Sequence, residues 1–300
     1  MLTKDHIPIT YIFKNIEKET VFVSLYMLLT IYLDDVYKID KSLNIPSIVI
    51  AVLGTNISLA LSFKTNHSYQ RWLTARSSWG KIKSFSIILV QQLQCFLSRN
   101  ENNSEDLLKF SRRQIALSYI IESKLRKKQI NQIISKYYDA NESEYIIDSE
   151  SSIPCLLKLQ FEDIRKMVND NKLDKSYQIE MQRILNSLYE DINVCFGIKS
   201  TVFPVLYNLY VKWMLYLFVI ILPLALIDFN NYIEFFIVIS ISLLFFLMEK
   251  ASSYLQDPFE NLPTDVNALS IAREIEIEIN KILELTDTPE PLSKEQFYIM

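Results

Sequence analysis

The side chains that usually carry enzyme chemistry are few and scattered in this chain. Its three glycines, Gly54, Gly80 and Gly197, lie far apart. A dinucleotide fingerprint or a phosphate loop needs clustered glycines so that backbone amides can approach the phosphates, and neither motif is present. The two histidines, His6 and His67, cannot form an HExxH zinc helix and leave little material for histidine-based catalysis. We therefore expect neither an enzyme nor a cofactor.

The cysteines and the overall charge exclude two further classes of protein. Cys95, Cys155 and Cys195 are widely spaced and form no CxxC pair, so neither a zinc knuckle nor a thioredoxin-like site is predicted. Their odd number and wide spacing are typical of reduced, structural thiols. A formal net charge of -4 lacks the basic footprint of a nucleic-acid-binding protein. No metal site and no nucleic-acid partner is expected.

One spacing does suggest a physical function. Thr55, Leu59 and Phe63 recur every four residues, and on a helix they form a narrow stripe that drifts by about 40° per step. If identical subunits turned this stripe toward a shared axis, it would form three stacked rings, two of them apolar. A narrow apolar ring sheds water and blocks ions until it widens. The same spacing is more often found where a helix simply packs against a neighbour.

Four hydrophobic segments are predicted to position this stripe. Residues 20–33 come first, followed by residues 42–63, the longest uncharged stretch, whose length fits a membrane helix of about 20 residues. Residues 213–227 and 235–248 flank the polar connector 228–231. Each of these two blocks is short enough for a buried soluble helix, but their pairing through a tight polar turn favours a membrane hairpin.

The rest of the chain is predicted to be soluble and helical. In residues 64–204, apolar positions recur at helical spacing among many charges. Residues 100–104 and 139–152 are expected to be loops. A last helix is predicted over residues 263–285, although the alternation of Glu and Ile over residues 274–279 also fits a strand.

These segments divide the chain into five regions. They are a cytoplasmic N-terminal segment (1–19), two membrane helices (20–63), a cytoplasmic helical region (64–204), a membrane hairpin (205–248) and a cytoplasmic C-terminal helix and tail (249–300). Lys and Arg are concentrated in the middle region and at both ends. The positive-inside rule therefore places both termini in the cytoplasm and the short connectors outside the cell membrane. The predicted fold is all-α, with four hydrophobic helices in the membrane.

Three motifs resemble those of the bestrophin family, in the family's order. The most specific covers residues 62–80, where Lys64 replaces the usual Arg. The residues of this motif that match the family are Phe63, Asn66, Tyr69, Arg71, Trp72, Ala75, Arg76, Trp79 and Gly80. Phe203-Pro204 with Tyr207 is similar to the family's Ile-Pro-x-x-Tyr, and Asp257-Pro258-Phe259 to its Asn/Asp-Pro-Phe. The resemblance covers roughly residues 20–285.

The resemblance implies a homopentameric channel in a lipid membrane, with a long axial pore. Carried over from the family's motif, the pore neck falls on Thr55, Leu59 and Phe63, so its topmost ring is polar. The lower aperture falls on Phe203, bulkier than the usual Ile. The implied function is passive conduction of small monovalent ions. Chloride and other anions are the chief substrates of bestrophins, although some prokaryotic relatives favour cations.

A calcium site is not implied. Calcium-activated animal members carry a run of acids after Asn-Pro-Phe, which supplies the hard oxygen ligands that calcium needs. The same place in this chain has Glu260, Asn261, Leu262 and Pro263, and the last two have no side-chain oxygen. The sequence is closer to the prokaryotic branch.

Alternative interpretations remain for single residues and for the whole chain. Lys64, Arg71 and Arg76 could attract anions to a vestibule, but pairing with nearby acids is the more common role of such residues. Glu234 and Glu249, at the borders of the last span, could shape ion preference, but acids at the ends of spans are commonly just solvated. Packing is the expected role of Trp72 and Trp79. The rival functions are a non-conducting membrane scaffold that binds a partner and, less compatible with the composition, a membrane-embedded enzyme.

Overall fold

The computed structural model describes residues 16–37, 45–97, 101–148, 152–201, 203–227 and 229–292. Their regular secondary structure is helical throughout, which confirms the all-α prediction for these ranges. The helices are α1 Glu17–Tyr37, α2 Ser47–Phe96, α3 Glu101–Leu125, α4 Asn131–Tyr137, α5 Ala140–Asp148, α6 Ser152–Asn169, α7 Lys175–Ser200, α8 Val205–Ile221, the 3₁₀ helix Leu222–Ala225, α9 Asn231–Tyr254 and α10 Ala268–Ile282. Most of the predicted N-terminal segment and of the first connector lies outside the described residues, as does residue 228.

Three helices of the described ranges are long and apolar enough to cross a membrane. They are Ser47–Phe96, Val205–Ala225 and Asn231–Tyr254, and they contain three of the four predicted hydrophobic segments. The remaining segment, residues 20–33, lies in α1, which is not among these three. Acidic residues at both ends of α1 lower its hydropathy, with Glu17 and Glu19 in the first turn and Asp34 and Asp35 near the end.

Helix α2 has 50 residues and corrects one sequence expectation. The segment predicted to end at Phe63 continues as the same helix to Phe96. At 1.5 Å per residue, α2 is about 75 Å long, more than twice the ~30 Å hydrocarbon core of a bilayer. No proline interrupts it, and Pro46 lies directly before its first residue.

Contacts divide the chain into two compact units, which are described separately. The first, called the membrane unit, contains the described residues 16–72 and 203–257. Its helix α1 packs on α9, and α9 packs on α8. Apolar side chains of α1, the first part of α2, α8, the 3₁₀ helix and α9 form its core. The buried members are Val23, Met27, Ile57, Leu61, Val211, Leu215, Phe218, Val219, Leu222, Val238 and Phe246.

The second unit, called the polar unit, contains the described residues 73–201 and 258–292. Helix α3 is central to it and packs on α4, α6, α7 and α10. Buried Arg113 of α3 donates hydrogen bonds to Glu142 of α5 and Asp163 of α6. One of its apolar clusters joins Val90 and Ile115 to α10.

Three local predictions in the polar unit need correction. Residues 101–104 belong to α3, and most of the loop predicted at 139–152 is helix α5. Helix α5 forms because its Ile146 is fully buried and its Glu142 pairs with Arg113. The C-terminal helix is shorter than predicted, at Ala268–Ile282. Its segment of alternating Glu and Ile is helical rather than extended, and Ile275 and Ile279 are buried together in the unit.

Candidate ion pathway

The three candidate neck residues lie on one exposed face of α2 within the membrane unit. Thr55 is exposed, and Leu59 and Phe63 are each 55% exposed. On the opposite face, Ile57 and Leu61 are buried against the core of the unit. One side of α2 therefore packs in the core of the unit, while the other presents large apolar side chains that the described residues leave more than half exposed.

Two polar side chains on this part of α2 are satisfied by their own helix. The Thr55 hydroxyl donates to the Ala51 carbonyl at 2.8 Å, and the Asn56 amide donates to the Val52 carbonyl at 2.9 Å. Such bonds to the preceding turn satisfy polar groups where water is scarce. Thr55 therefore needs no partner on another helix.

The exposed face continues beyond the neck through the most specific sequence motif. Within the membrane unit, Asn66 and Tyr69 are exposed and follow Phe63 at steps of three residues. The exposed side of α2 thus changes from apolar at Leu59 and Phe63 to mixed and polar after them.

Two motif tryptophans pack as expected. Trp79 is fully buried in the polar unit. Trp72, half-buried in the membrane unit, stacks on Tyr69 with ring centroids 6.1 Å apart. The packing interpretation of both residues is thereby confirmed.

Lys64, which stands where the family usually has Arg, is completely buried in the membrane unit. Its Nζ lies 2.8 Å from Glu249 Oε1 and donates to Ser253 Oγ at 3.0 Å. The Ser253 hydroxyl in turn donates to Glu249 Oε1 at 3.0 Å. The predicted pairing of Lys64 with an acid is confirmed, and Lys64 does not line the exposed face. The expectation that Glu249 is solvated is wrong, because its carboxylate is the partner of this lysine. The same expectation is wrong for Glu234, which is also buried.

The second motif is fixed to the neck helix. The Tyr207 hydroxyl donates to the Ala60 carbonyl at 2.8 Å, next to Leu59. The ring of Phe203, the candidate aperture residue, packs edge-on against Tyr207 with centroids 5.9 Å apart. Pro204 is exposed and directly precedes α8. Tyr207 thus contacts both Phe203 and α2.

Two further contacts hold the end of α9 in the membrane unit. The Arg71 Nε donates to the Gln256 carbonyl at 2.9 Å. The side-chain amides of Gln256 and Asn208 also bond each other, at 3.2 Å from Gln256 Nε2 to Asn208 Oδ1. Arg71 therefore fixes the chain immediately before Asp257, the first residue of the third motif.

The third motif begins a loop that is anchored in the polar unit. Phe259 is buried, and its carbonyl accepts a hydrogen bond from Lys199 at 3.4 Å. Arg126 of α3 holds the loop by donating to the Asn261 side chain at 2.8 Å and to the Val266 carbonyl at 3.3 Å. Pro258 and Phe259 thus have a structural role, as the start of a loop pinned against α3.

One carboxylate of this loop has a perturbed acidity. Burial raises the pKa of Asp265 to about 6, although the backbone N–H groups of residues 260–262 and the Arg126 guanidinium oppose this rise. Neither carboxylate oxygen reaches full hydrogen-bond geometry with these donors. No cluster of three or more His, Cys, Asp or Glu that could hold a metal ion occurs among the described residues.

Sequence reasoning missed the partner of Lys64 and the continuity of the exposed face. Lys64 and Glu249 are 185 residues apart, so no local pattern links them. The continuity could have been found by extending the Thr55–Leu59–Phe63 spacing past Lys64, since Asn66 falls on the same stripe.

Comparisons with known proteins agree on one family. The family model described as Bacterial/Fungal Bestrophin protein matches residues 9–281. The voltage-dependent anion channel-forming protein YneE of Salmonella typhi is 28% identical over 239 residues, covering 80% of this chain and 77% of the relative. Its namesake in Escherichia coli K12 is 26% identical over 248 residues, covering 83% and 80%.

Solved structures share the fold. A bacterial bestrophin homologue from Klebsiella pneumoniae superposes with a TM-score of 0.80 at 20% identity, over 91% of this chain and 99% of the other. A second structure of a homologue from that organism gives a TM-score of 0.83 at 23% identity, over 90% and 99%. At this level of identity the likeness establishes the helical fold alone.

Proposed function

We propose that this chain, which belongs to the bacterial/fungal bestrophin family, forms a passive membrane channel for small monovalent anions. The observation that carries the proposal is the exposed apolar face of α2. Leu59 and Phe63 are each 55% exposed within the subunit, whereas the opposite face is buried. A membrane helix with one such face directed to a shared axis would supply the hydrophobic constriction of a gated pore.

Several copies must surround the axis for this face to enclose a pore. We infer a homopentamer, as the family resemblance implies, in which α2 of each subunit contributes to the neck. Cyclic symmetry would stack the Thr55, Leu59 and Phe63 rings in that order. The bulky Phe203, linked to α2 through Tyr207, would contribute a further constriction.

The proposed topology has four membrane crossings with both termini in the cytoplasm. Three crossings correspond to the long apolar helices, and α1 would be the fourth. Its charged ends would then lie at the two membrane surfaces, where side chains can reach water. The short connectors before α2 and before α9 would face outward, as the distribution of basic residues indicates.

The choice of anions rests on the relatives. Both relatives described above carry the name of anion channel-forming proteins.

The test is ion flux through the purified protein in a planar lipid bilayer under a potassium chloride gradient. The expected reversal potential lies near the chloride equilibrium potential. A value near that of potassium would show cation selectivity instead. Absence of current here and of flux in liposomes would favour the non-conducting scaffold.

The neck assignment is tested in the same assay with the double variant Leu59→Ala/Phe63→Ala. Removing two apolar rings widens the constriction and eases its wetting, so the current should rise or lose its gating. The matched control is Leu25→Ala/Leu28→Ala, which truncates similarly exposed side chains on α1. If the neck variant and the control conduct alike, the neck assignment is wrong.

A further inference from the structure

A cavity of about 250 Å³ lies within the membrane unit between α1, the 3₁₀ helix and the start of α9. Its walls are mainly apolar, with Leu29, Leu33, Leu224 and Ile227 among the lining residues. At about 30 Å³ per water molecule, the space equals roughly eight waters, enough for a small organic group. The cavity contains none of the neck or aperture residues.

Two carboxylates line this apolar cavity. Asp34 reaches it from α1 and Glu234 from α9. Glu234 is only 9% exposed. Neither side chain makes a hydrogen bond or an ion pair with any residue that the structure describes. A buried carboxylate without a partner is costly, and two around one cavity repel each other.

The dipole of α9 stabilises the charge of Glu234, whereas the dipole of α1 destabilises the charge of Asp34. Glu234 lies in the first turn of α9, where the positive end of the helix favours a negative charge. Asp34 lies in the last turn of α1, where the negative end disfavours one, and that turn contains no basic residue. A positive charge inside the cavity would therefore stabilise this pair of carboxylates.

We propose that this cavity binds a primary ammonium group carrying a short alkyl chain. The N–H donors of the ammonium bond to the carboxylates of Asp34 and Glu234 in charge-assisted hydrogen bonds, and its methylene groups contact Leu29, Leu33 and Ile227. A hard metal ion fits less well, because calcium and magnesium require six or more oxygen ligands and the walls are largely apolar.

Two kinds of molecule carry a primary ammonium group on a short alkyl chain. One is the ethanolamine headgroup of a membrane phospholipid, and the other is a free alkylamine from the aqueous phase. Both present a primary ammonium next to methylene carbons, so the site would recognise either. The experiment therefore varies the lipid and the soluble amine separately.

The test measures thermal unfolding of the full-length protein in phosphatidylcholine nanodiscs as n-butylammonium chloride replaces sodium chloride at constant ionic strength. Because a ligand that binds the folded state raises its stability, Tm should rise saturably by a few degrees. Asp34→Asn and Glu234→Gln should each reduce this shift by more than half. Asp35→Asn, which removes an adjacent exposed carboxylate outside the cavity, should leave it unchanged.

Each variant is compared with its own Tm in sodium chloride, so a change in basal stability does not obscure the ligand effect. Nanodiscs containing phosphatidylethanolamine then separate the sources. If the lipid headgroup occupies the site, these discs raise the basal Tm of the wild type and abolish the butylammonium shift. If they leave the shift intact, the ligand is a soluble amine.

Two results would overturn the proposal: no saturable shift in the wild type, or an equal shift in wild type and in both cavity variants. This assay measures binding rather than conduction. It therefore distinguishes a channel that does not bind amines from an amine-binding protein that does not conduct ions.

Discussion

Lys64 carries its charge inside the membrane unit, where water cannot solvate it. Its stability there depends on Glu249 at 2.8 Å and on the Ser253 hydroxyl at 3.0 Å. Such a pair contributes little net stability compared with apolar residues in the same place. Removing one partner, however, leaves the other charge buried without a partner.

We therefore predict that Lys64→Met lowers the free energy of unfolding by about 3–5 kcal/mol, because Glu249 is left buried without a partner. The measurement is denaturant-induced unfolding in detergent micelles. The control is Lys281→Met, which breaks the pair with Glu278 at 3.4 Å in the polar unit. Both side chains of that pair are exposed, so its loss should cost less than about 1 kcal/mol.

The double variant Lys64→Met/Glu249→Met provides the second control. Because it removes both charges, it should be more stable than Lys64→Met alone. Equal destabilisation by Lys64→Met and Lys281→Met would contradict this account of the pair.

Asp265 gives the polar unit a predicted pH dependence. Burial raises its pKa from an unfolded value near 3.9 to about 6, so the folded state binds a proton more tightly than the unfolded state. This contribution to stability is present below pH 4, is lost as the pH rises toward 6, and stays absent above 6. The asparagine side chain does not titrate, so an Asp265→Asn variant would lack this pH dependence of stability.

Asp265→Asn should accordingly gain about 1–2 kcal/mol relative to the wild type between pH 4 and pH 7.5. Unfolding free energies measured at the two pH values check this expectation, with Asp170→Asn in an exposed turn as the control. A difference between Asp265→Asn and wild type that does not change with pH would show that burial does not set this pKa.

At the scale of elements, the two faces of α2 have separate roles. Leu61 is fully buried in the core of the membrane unit, while Leu59, two residues earlier, is 55% exposed. We propose that the buried face of Leu61 stabilises the fold and that the exposed face of Leu59 lines the ion path.

Leu61→Ala is therefore predicted to lower the free energy of unfolding by about 2–5 kcal/mol, because it leaves a cavity in a packed core. Leu59→Ala should cost under about 1 kcal/mol and instead alter the current. Unfolding and bilayer recording of both variants check the separation. A Leu59→Ala variant as unstable as Leu61→Ala would mean that Leu59 is a packing residue.

The sequence predicted most helices because their signals are local. Long apolar segments identified the regions of α2, α8 and α9, and four-residue spacing of isoleucines identified α10. Helix α5 was missed because its segment is polar, and its formation depends on the burial of Ile146 and on the pairing of Glu142 with Arg113. Such contacts are made across the fold and leave no local pattern.

The candidate pathway was only partly predictable for the same reason. Spacing and family resemblance selected Leu59 and Phe63, and both lie on the exposed face. The charge of Lys64 suggested the end of a membrane segment, whereas α2 continues for another 32 residues beyond it, to Phe96. Only the distant Glu249 makes this lysine compatible with a buried position.

On the scale of the whole molecule, each subunit combines a membrane unit with a polar helical unit, and α2 contributes to both. The face of α2 that carries Leu59 and Phe63 is left largely exposed by the part of the chain that the structure describes. In the proposed assembly around an axis, these side chains would surround the ion path.

The most direct test is a cryo-electron microscopy structure of the purified protein in lipid nanodiscs. We predict a cyclic oligomer, with five subunits, in which Leu59 and Phe63 of every subunit lie closer to the symmetry axis than Leu61 and enclose a continuous passage. A monomer, or an oligomer in which Leu59 and Phe63 face lipid, would contradict the account.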